Sequence, residues 1–284
     1  MRVAVVSNIN CPGFVNENTA DHLGWMDKAK REGARLVLFP ELSLTGYTFE
    51  EFITEAALDL ESRECGALFD AASRMGIYVA FGMALKREGK VYISHVLAGP
   101  EGLIGHYEKV HLAYPCFNEG SIFSPGEAFR VFDIEGVCVG INICMDGRFP
   151  GSSLSLSQMG AEIILHPHGN EVGDLGRDPA DWTKKKHLYL GPRALDTCTY
   201  SLICNSVGRV QSRSGAILEF SGGAMILGPQ GEILARSNLR RKEPHMVVCD
   251  LNIERLRTLR KDERTYRSMW RPDVYLKALT TGGV

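Results

Sequence analysis

Short apolar, β-branched runs alternate with helix-length amphipathic segments along nearly the whole chain. That alternation restricts the chain to folds in which helices cover sheets. Strands are expected at 3–7, 35–39, 77–85, 91–98 and 103–106. Helices are expected at 18–31, where Leu23, Met26 and Ala29 recur at helical spacing before Gly33, and at 60–75, closed by Gly76. The second half repeats this grammar. Strands are expected at 131–134, 137–143, 163–166, 201–207, 216–220, 224–227, 233–235 and 246–250, and helices at 152–159, 181–199 and 253–259. Gly191-Pro192 should kink or divide the long helix. The strands flanked by helices are almost entirely apolar, as in sheets buried on both faces. Two packed sheets with helices outside fit this pattern. No linker or change of composition divides the chain, so one domain over 1–284 is expected. A tail from about 265, with Trp270 and Tyr275, is expected to lie across a surface or a partner subunit.

Hydrophobic residues make up 44% and charged residues 23%, enough apolar material for a sizeable core. The net charge of −2 provides no field for nucleic acid or an acidic membrane surface. The basic runs Lys184-Lys185-Lys186 and Arg240-Arg241-Lys242 read as solvated faces. The eight cysteines show no C-x-x-C pairing, which argues for reduced thiols in a cytosol. No h-region follows Arg2 and no apolar run reaches membrane-spanning length, so a cytoplasmic protein without membrane association is expected.

Three places put a reactive side chain at the end of a strand, where a rigid sheet can hold it. Glu41 follows Phe39-Pro40. Lys109 stands in Tyr107-Glu108-Lys109-Val110-His111. Cys144 ends the run Ile141-Asn142-Ile143 and precedes a turn through Gly147 and Pro150. A cysteine before a helix N-terminus and near a lysine has reason to be a thiolate. A thiolate attacks a carbonyl carbon, a carboxylate takes and returns the proton, and Lys109 with the backbone N–H of Met145 can face the oxyanion. Taken singly, each residue has a plainer reading. Cys144 would be a small buried hydrophobe, Glu41 a helix-start or surface carboxylate, and Lys109 a surface lysine.

Together the three stretches resemble the nitrilase superfamily, also called the carbon–nitrogen hydrolase family. Leu38-Phe39-Pro40-Glu41-Leu42-Ser43-Leu44-Thr45-Gly46-Tyr47 is similar to its glutamate motif, Lys109-Val110-His111-Leu112 to its lysine motif, and Cys144-Met145-Asp146-Gly147-Arg148-Phe149-Pro150 to its cysteine motif. Glu119 before Phe123-Ser124-Pro125-Gly126, Asn205, and Arg271-Pro272-Asp273-Val274-Tyr275 extend the resemblance over nearly the whole chain. It implies an α/β fold, the αββα sandwich, as one hydrolase domain. It also implies Glu41 as general base, Lys109 as transition-state stabiliser, Cys144 as nucleophile and Glu119 as a second carboxylate that helps place substrate and lysine. A homodimer or higher homo-oligomer is implied, and no cofactor or metal. Gly151 departs from the pattern, because many members carry a glutamate there.

Pocket candidates are Tyr47, Asn118, Met145 through its N–H, Arg148, His168, Asn170 and Trp182. Trp182 has plain packing as its alternative, and Arg148 a structural carboxylate. His166 and His168 form an H-x-H, but no third ligand stands at recognisable spacing, so no metal is expected. The charged loop 171–181 is a candidate rim. Long C-terminal extensions mark the family's nitrilases, and the chain stops soon after the Arg271 motif. The expectation is therefore hydrolysis of a small amide or N-carbamoyl compound with release of ammonia. A nitrile substrate and a silent binding protein of the same fold are the alternatives. G-x-S-x-G and phosphate-cradling glycine loops are absent from the sequence, which disfavours serine hydrolases and nucleotide enzymes.

Overall fold

The computed structural model describes residues 1–48, 50–113, 118–172, 179–238, 243–262 and 269–281. The first half runs β1 (Arg2–Ser7), α1 (Val15–Arg31), β2 (Leu36–Leu38), α2 (Arg63–Met75), β3 (Tyr78–Arg87), β4 (Lys90–Gly99) and β5 (Gly102–Glu108). The second runs β6 (Val131–Ile134), β7 (Val137–Ile141), α3 (Pro150–Gln158), β8 (Ile163–His168), α4 (Pro179–Thr197), β9 (Tyr200–Asn205), β10 (Val207–Gln211), β11 (Ile217–Ser221), β12 (Ala224–Leu227), β13 (Ile233–Arg236) and β14 (His245–Asp250). Helices α5 (Ile253–Lys261) and α6 (Pro272–Thr281) follow. Local chemistry sets several ends. The Ser62 hydroxyl accepts from the Cys65 N–H at the start of α2, and Gly76 closes that helix at φ 61°, in the left-handed region open to glycine. Asn252 caps α5 through the Arg255 N–H.

Two six-stranded sheets result, in the orders β14-β1-β2-β3-β4-β5 and β13-β12-β9-β8-β7-β6. Each has a parallel centre, β1-β2-β3 in one and β7-β8-β9 in the other, with antiparallel strands outside it. Period-two alternation sorts the side chains between layers. Val3, Val5, Leu36 and Leu38 meet Ile163, Leu165, Leu202 and Ile226 in the core between the sheets. Their neighbours Ala4, Val6, Val37 and Phe39 face outward, onto Trp25, Met26 and Ala29 of α1 and Leu68, Ala71 and Ala72 of α2. On the other sheet Ile203, Met225 and Leu227 face Trp182, Leu190 and Ala194 of α4, while Ile164 faces Leu156 of α3. The architecture is an αββα sandwich.

The long helix is not divided: α4 carries Pro192 inside one continuous element. A strand was missed at β10, which pairs with β11 as a separate two-stranded ribbon. Its sequence, Val207-Gly208-Arg209-Val210-Gln211, lacks an apolar run and holds a glycine at φ 95°, so it carried no strand signal. In the tail, Met269, Trp270 and Tyr275 line a cleft with Leu154, Ser157, Gln158 and Asp196, so this part lies across α3 and α4. Residues 173–178 of the expected rim and the basic run 240–242 lie outside the described residues. Among the described residues no helix is long and apolar enough to cross a membrane.

Candidate active site

Glu41 lies just past β2, in a loop that runs against β3. Gly82 allows that approach: a Cβ there would lie 2.3 Å from the Leu42 nitrogen and 2.7 Å from the Pro40 carbonyl oxygen. The Leu44 N–H donates to the Gly82 carbonyl (2.8 Å) and the Gly82 N–H to the Ser43 hydroxyl (3.1 Å), which fastens the loop. Lys109 follows β5 directly. Cys144 opens a short 3₁₀ turn, Cys144–Arg148, after β7. Its φ of 43° is left-handed, a conformation that costs a non-glycine residue energy and recurs at functional sites.

These strand ends converge. Lys109 Nζ donates to Glu41 Oε1 (2.7 Å) and to both Glu119 oxygens (2.8 and 2.9 Å). Glu41 and Lys109 are fully buried, and Cys144 retains 9% of its surface. The other Glu41 oxygen accepts the Gly169 N–H (2.9 Å), and the Cys144 thiol hydrogen-bonds to the same carboxylate. Glu119 is held further by the Tyr47 hydroxyl (2.9 Å) and the Ala113 N–H (2.7 Å). Asn170 donates its amide toward Cys144 Sγ (3.5 Å) and accepts the Trp182 indole N–H (3.2 Å) on its side-chain oxygen. Asn205 grips the Asn170 backbone from both sides, accepting its N–H (2.7 Å) and donating to its carbonyl (3.1 Å).

Electrostatics correct the thiolate expectation. Burial and the Glu41 carboxylate push the Cys144 thiol up to about 12, more than Lys109 pulls it down. The resting sulfur therefore keeps its proton. Burial alone pulls the Lys109 ammonium down, but Glu41 and Glu119 outweigh it and hold the group charged. Burial raises Glu41, against the pull of Lys109, which makes it a stronger base than an ordinary carboxylate. A buried thiol, a basic carboxylate and a fixed cation can together deprotonate sulfur and receive negative charge on a substrate oxygen.

The remaining pocket candidates are spread more widely. Met145 is half-buried, and its N–H lies in the first turn of the 3₁₀ segment, where amides lack acceptors within the turn. Asn118 is exposed and left-handed, just before the turn Glu119–Ser121. Arg148 is exposed and stands over the Tyr189 ring (5.1 Å), and among the described residues no carboxylate pairs with it. His168 and Trp182 are fully buried. Among the described residues, no group of three or more His, Cys, Asp or Glu side chains could hold a metal.

Sequence reasoning missed two features. The first is the contact made by Asp146, quoted above only as part of a motif. Its buried carboxylate accepts the Tyr107 hydroxyl (2.8 Å), the His111 N–H (2.9 Å), the Ile143 N–H (3.0 Å) and bonds His111 Nδ1 (2.8 Å). It thereby ties the loop bearing Cys144 to the strand end bearing Lys109. Asp146→Asn turns an amide donor toward this group of donors. The expected result is a loss of about 2–3 kcal/mol in stability and at least about a tenfold fall in turnover as the loops shift. Thermal unfolding and steady-state rates would test this, and an unchanged melting temperature would contradict it.

The second is Lys186, and it corrects the solvated reading of Lys184–Lys186. Lys184 and Lys185 are exposed, but Lys186 keeps only 3% of its surface. It donates to His168 Nδ1 (3.2 Å) and to the Tyr189 hydroxyl (3.0 Å). A signal was present: Trp182, Lys186, Leu190 and Ala194 recur every fourth residue, so Lys186 lies in the apolar stripe of α4.

Comparison with known proteins gives a family and a fold. The family model described as carbon-nitrogen hydrolase matches residues 2–261. The chain is 34% identical over 232 residues to a protein of Pyrococcus abyssi named nitrilase, covering 80% of this chain and 81% of that one. It is 32% identical over 227 residues to an (R)-stereoselective amidase of Pseudomonas, covering 80% and 76%. The crystal structure of an amidase from Nesterenkonia sp. shares the fold, with a TM-score of 0.81 at 23% identity, covering 98% of this chain and 95% of that one.

Proposed function

This chain belongs to the carbon–nitrogen hydrolase family, and from that premise we propose that it hydrolyses a small amide or N-carbamoyl compound through a thioester on Cys144. The contact of Lys109 with both Glu41 and Glu119 beside a buried thiol carries the reading. Glu41 takes the proton from Sγ as sulfur bonds to the carbonyl carbon. The Met145 N–H and the charge of Lys109 face the oxyanion that forms. Collapse expels ammonia, which takes up the proton from Glu41, and leaves the thioester. Glu41 then deprotonates a water that attacks the same carbon. Sulfur leaves and regains its proton. An amide yields a carboxylic acid and ammonia. An N-carbamoyl compound yields an amine, carbon dioxide and ammonia.

The relative named amidase supports an amide substrate, and the one named nitrilase supports a second reading, attack on a nitrile carbon. Ammonia release from matched amides, N-carbamoyl amines and nitriles separates these. Intact-protein mass spectrometry during turnover should show an adduct of the acyl mass on Cys144. A panel that turns over with no adduct under rapid acid quench would count against the thioester, and no ammonia from any class would remove the hydrolase reading.

A further inference from the structure

Lys186 is a buried ammonium whose hydrogen-bond partners are both uncharged. Burial holds the His168 imidazole well below its ordinary range and pushes the Tyr189 hydroxyl up, so both are neutral near pH 7. Among the described residues no carboxylate lies within ion-pair distance of Lys186 Nζ, and an ammonium has three N–H donors where these two contacts use two. A buried charge without a counter-ion costs stability. Burial lowers the group to about 8.

Its surroundings join it to the site. Lys186 Nζ lies 5.8 Å from the Trp182 ring, and the Trp182 indole N–H donates to Asn170, whose amide reaches toward Cys144 Sγ. The Tyr189 ring has Lys186 Nζ 5.5 Å from its centroid and the Arg148 guanidinium 5.1 Å from it. Glu41 and Glu119 are already engaged by Lys109. Among the described residues Lys186 is thus a buried cation with no carboxylate of its own, on the wall formed by α4. The carboxylates cannot balance it without releasing Lys109.

We propose that Lys186 marks an anion subsite beside Cys144, and that the scissile amide or carbamoyl group belongs to a molecule carrying a carboxylate at its other end. This rests on the hydrolase reading above and narrows its substrate. Bound carboxylate would occupy the ammonium's remaining donor and supply the missing counter-charge. A neutral amide lacks that contact, and a cationic one meets repulsion.

The test compares three amides of similar size on the unmodified protein: succinamate, which is anionic, butyramide, which is neutral, and β-alaninamide, which is cationic. We expect kcat/KM for succinamate to exceed that for butyramide at least about tenfold, as a charge-assisted hydrogen bond allows, with β-alaninamide the poorest. Lys186→Met should cut the succinamate-to-butyramide ratio at least about tenfold. That ratio is set by the active molecules, so partial loss of folding does not imitate the effect. Butyramide turned over as well as succinamate, or a ratio that survives Lys186→Met, would overturn the subsite. Ammonia from none of the three would instead remove the hydrolase reading on which the subsite rests.

Discussion

Cys144→Ala should lower ammonia release by on the order of 10⁴-fold or more, about 5 kcal/mol of barrier. The side chain of Cys144 faces Glu41 and Asn170. The substitution leaves the Lys109 contacts with Glu41 and Glu119 in place, so folding should be little affected. A single removed sulfur leaves a small void at a site that still has 9% of its surface exposed. The two readouts therefore separate. Rates should fall by orders of magnitude, the melting temperature should move by only a few degrees, and the acyl adduct should vanish from the mass spectrum. Ammonia release at the parent rate would sink the assignment of Cys144 as nucleophile.

Lys109→Met should damage both activity and stability. The ammonium is fully buried between two carboxylates at 2.7 and 2.8 Å. Removing one partner of a buried ion pair leaves the others without compensation, at a cost of about 3–5 kcal/mol. The sign of the pH dependence follows. Without the cation, burial and repulsion by Glu119 raise the Glu41 carboxyl further above its unfolded value. Such groups lose stability as pH rises through the raised folded value, because ionisation then favours the unfolded chain. The deficit relative to the parent protein should therefore be smaller at pH 5 than at pH 8. Turnover should fall by about 10³-fold or more, since Glu41 becomes a protonated acid and the oxyanion loses its nearby cation. Denaturant unfolding at the two pH values tests the stability claim. Equal stability of variant and parent at pH 8 would mean that this charge cluster is not buried as described.

Much of the layer order was legible before any coordinates. Val3 to Val6 and Leu36 to Phe39 alternate between two buried faces, and apolar residues on both faces of a strand require a covering layer on each side. Glu41, Lys109 and Cys144 were legible for a related reason: each stands at or just past the end of an expected strand, and a strand end is a fixed platform. Strand β10 was not legible, because its pairing with β11 comes from neighbouring backbone rather than from an apolar pattern. Lys186 carried a four-residue spacing that pointed inward, yet three consecutive lysines read as a solvated face.

The amino-acid order by itself determined which side chains stand at strand ends and which faces are apolar, because both follow from local periodicity. Only the tertiary structure decided what those side chains become. The same Cys144 that local charge would ionise is held as a thiol, since burial and Glu41 outweigh Lys109. The same Lys186 that solvent would claim is enclosed by His168 and Tyr189. Desolvation and the distance between charges depend on which strands and helices lie beside one another, and that is settled only when the two sheets pack.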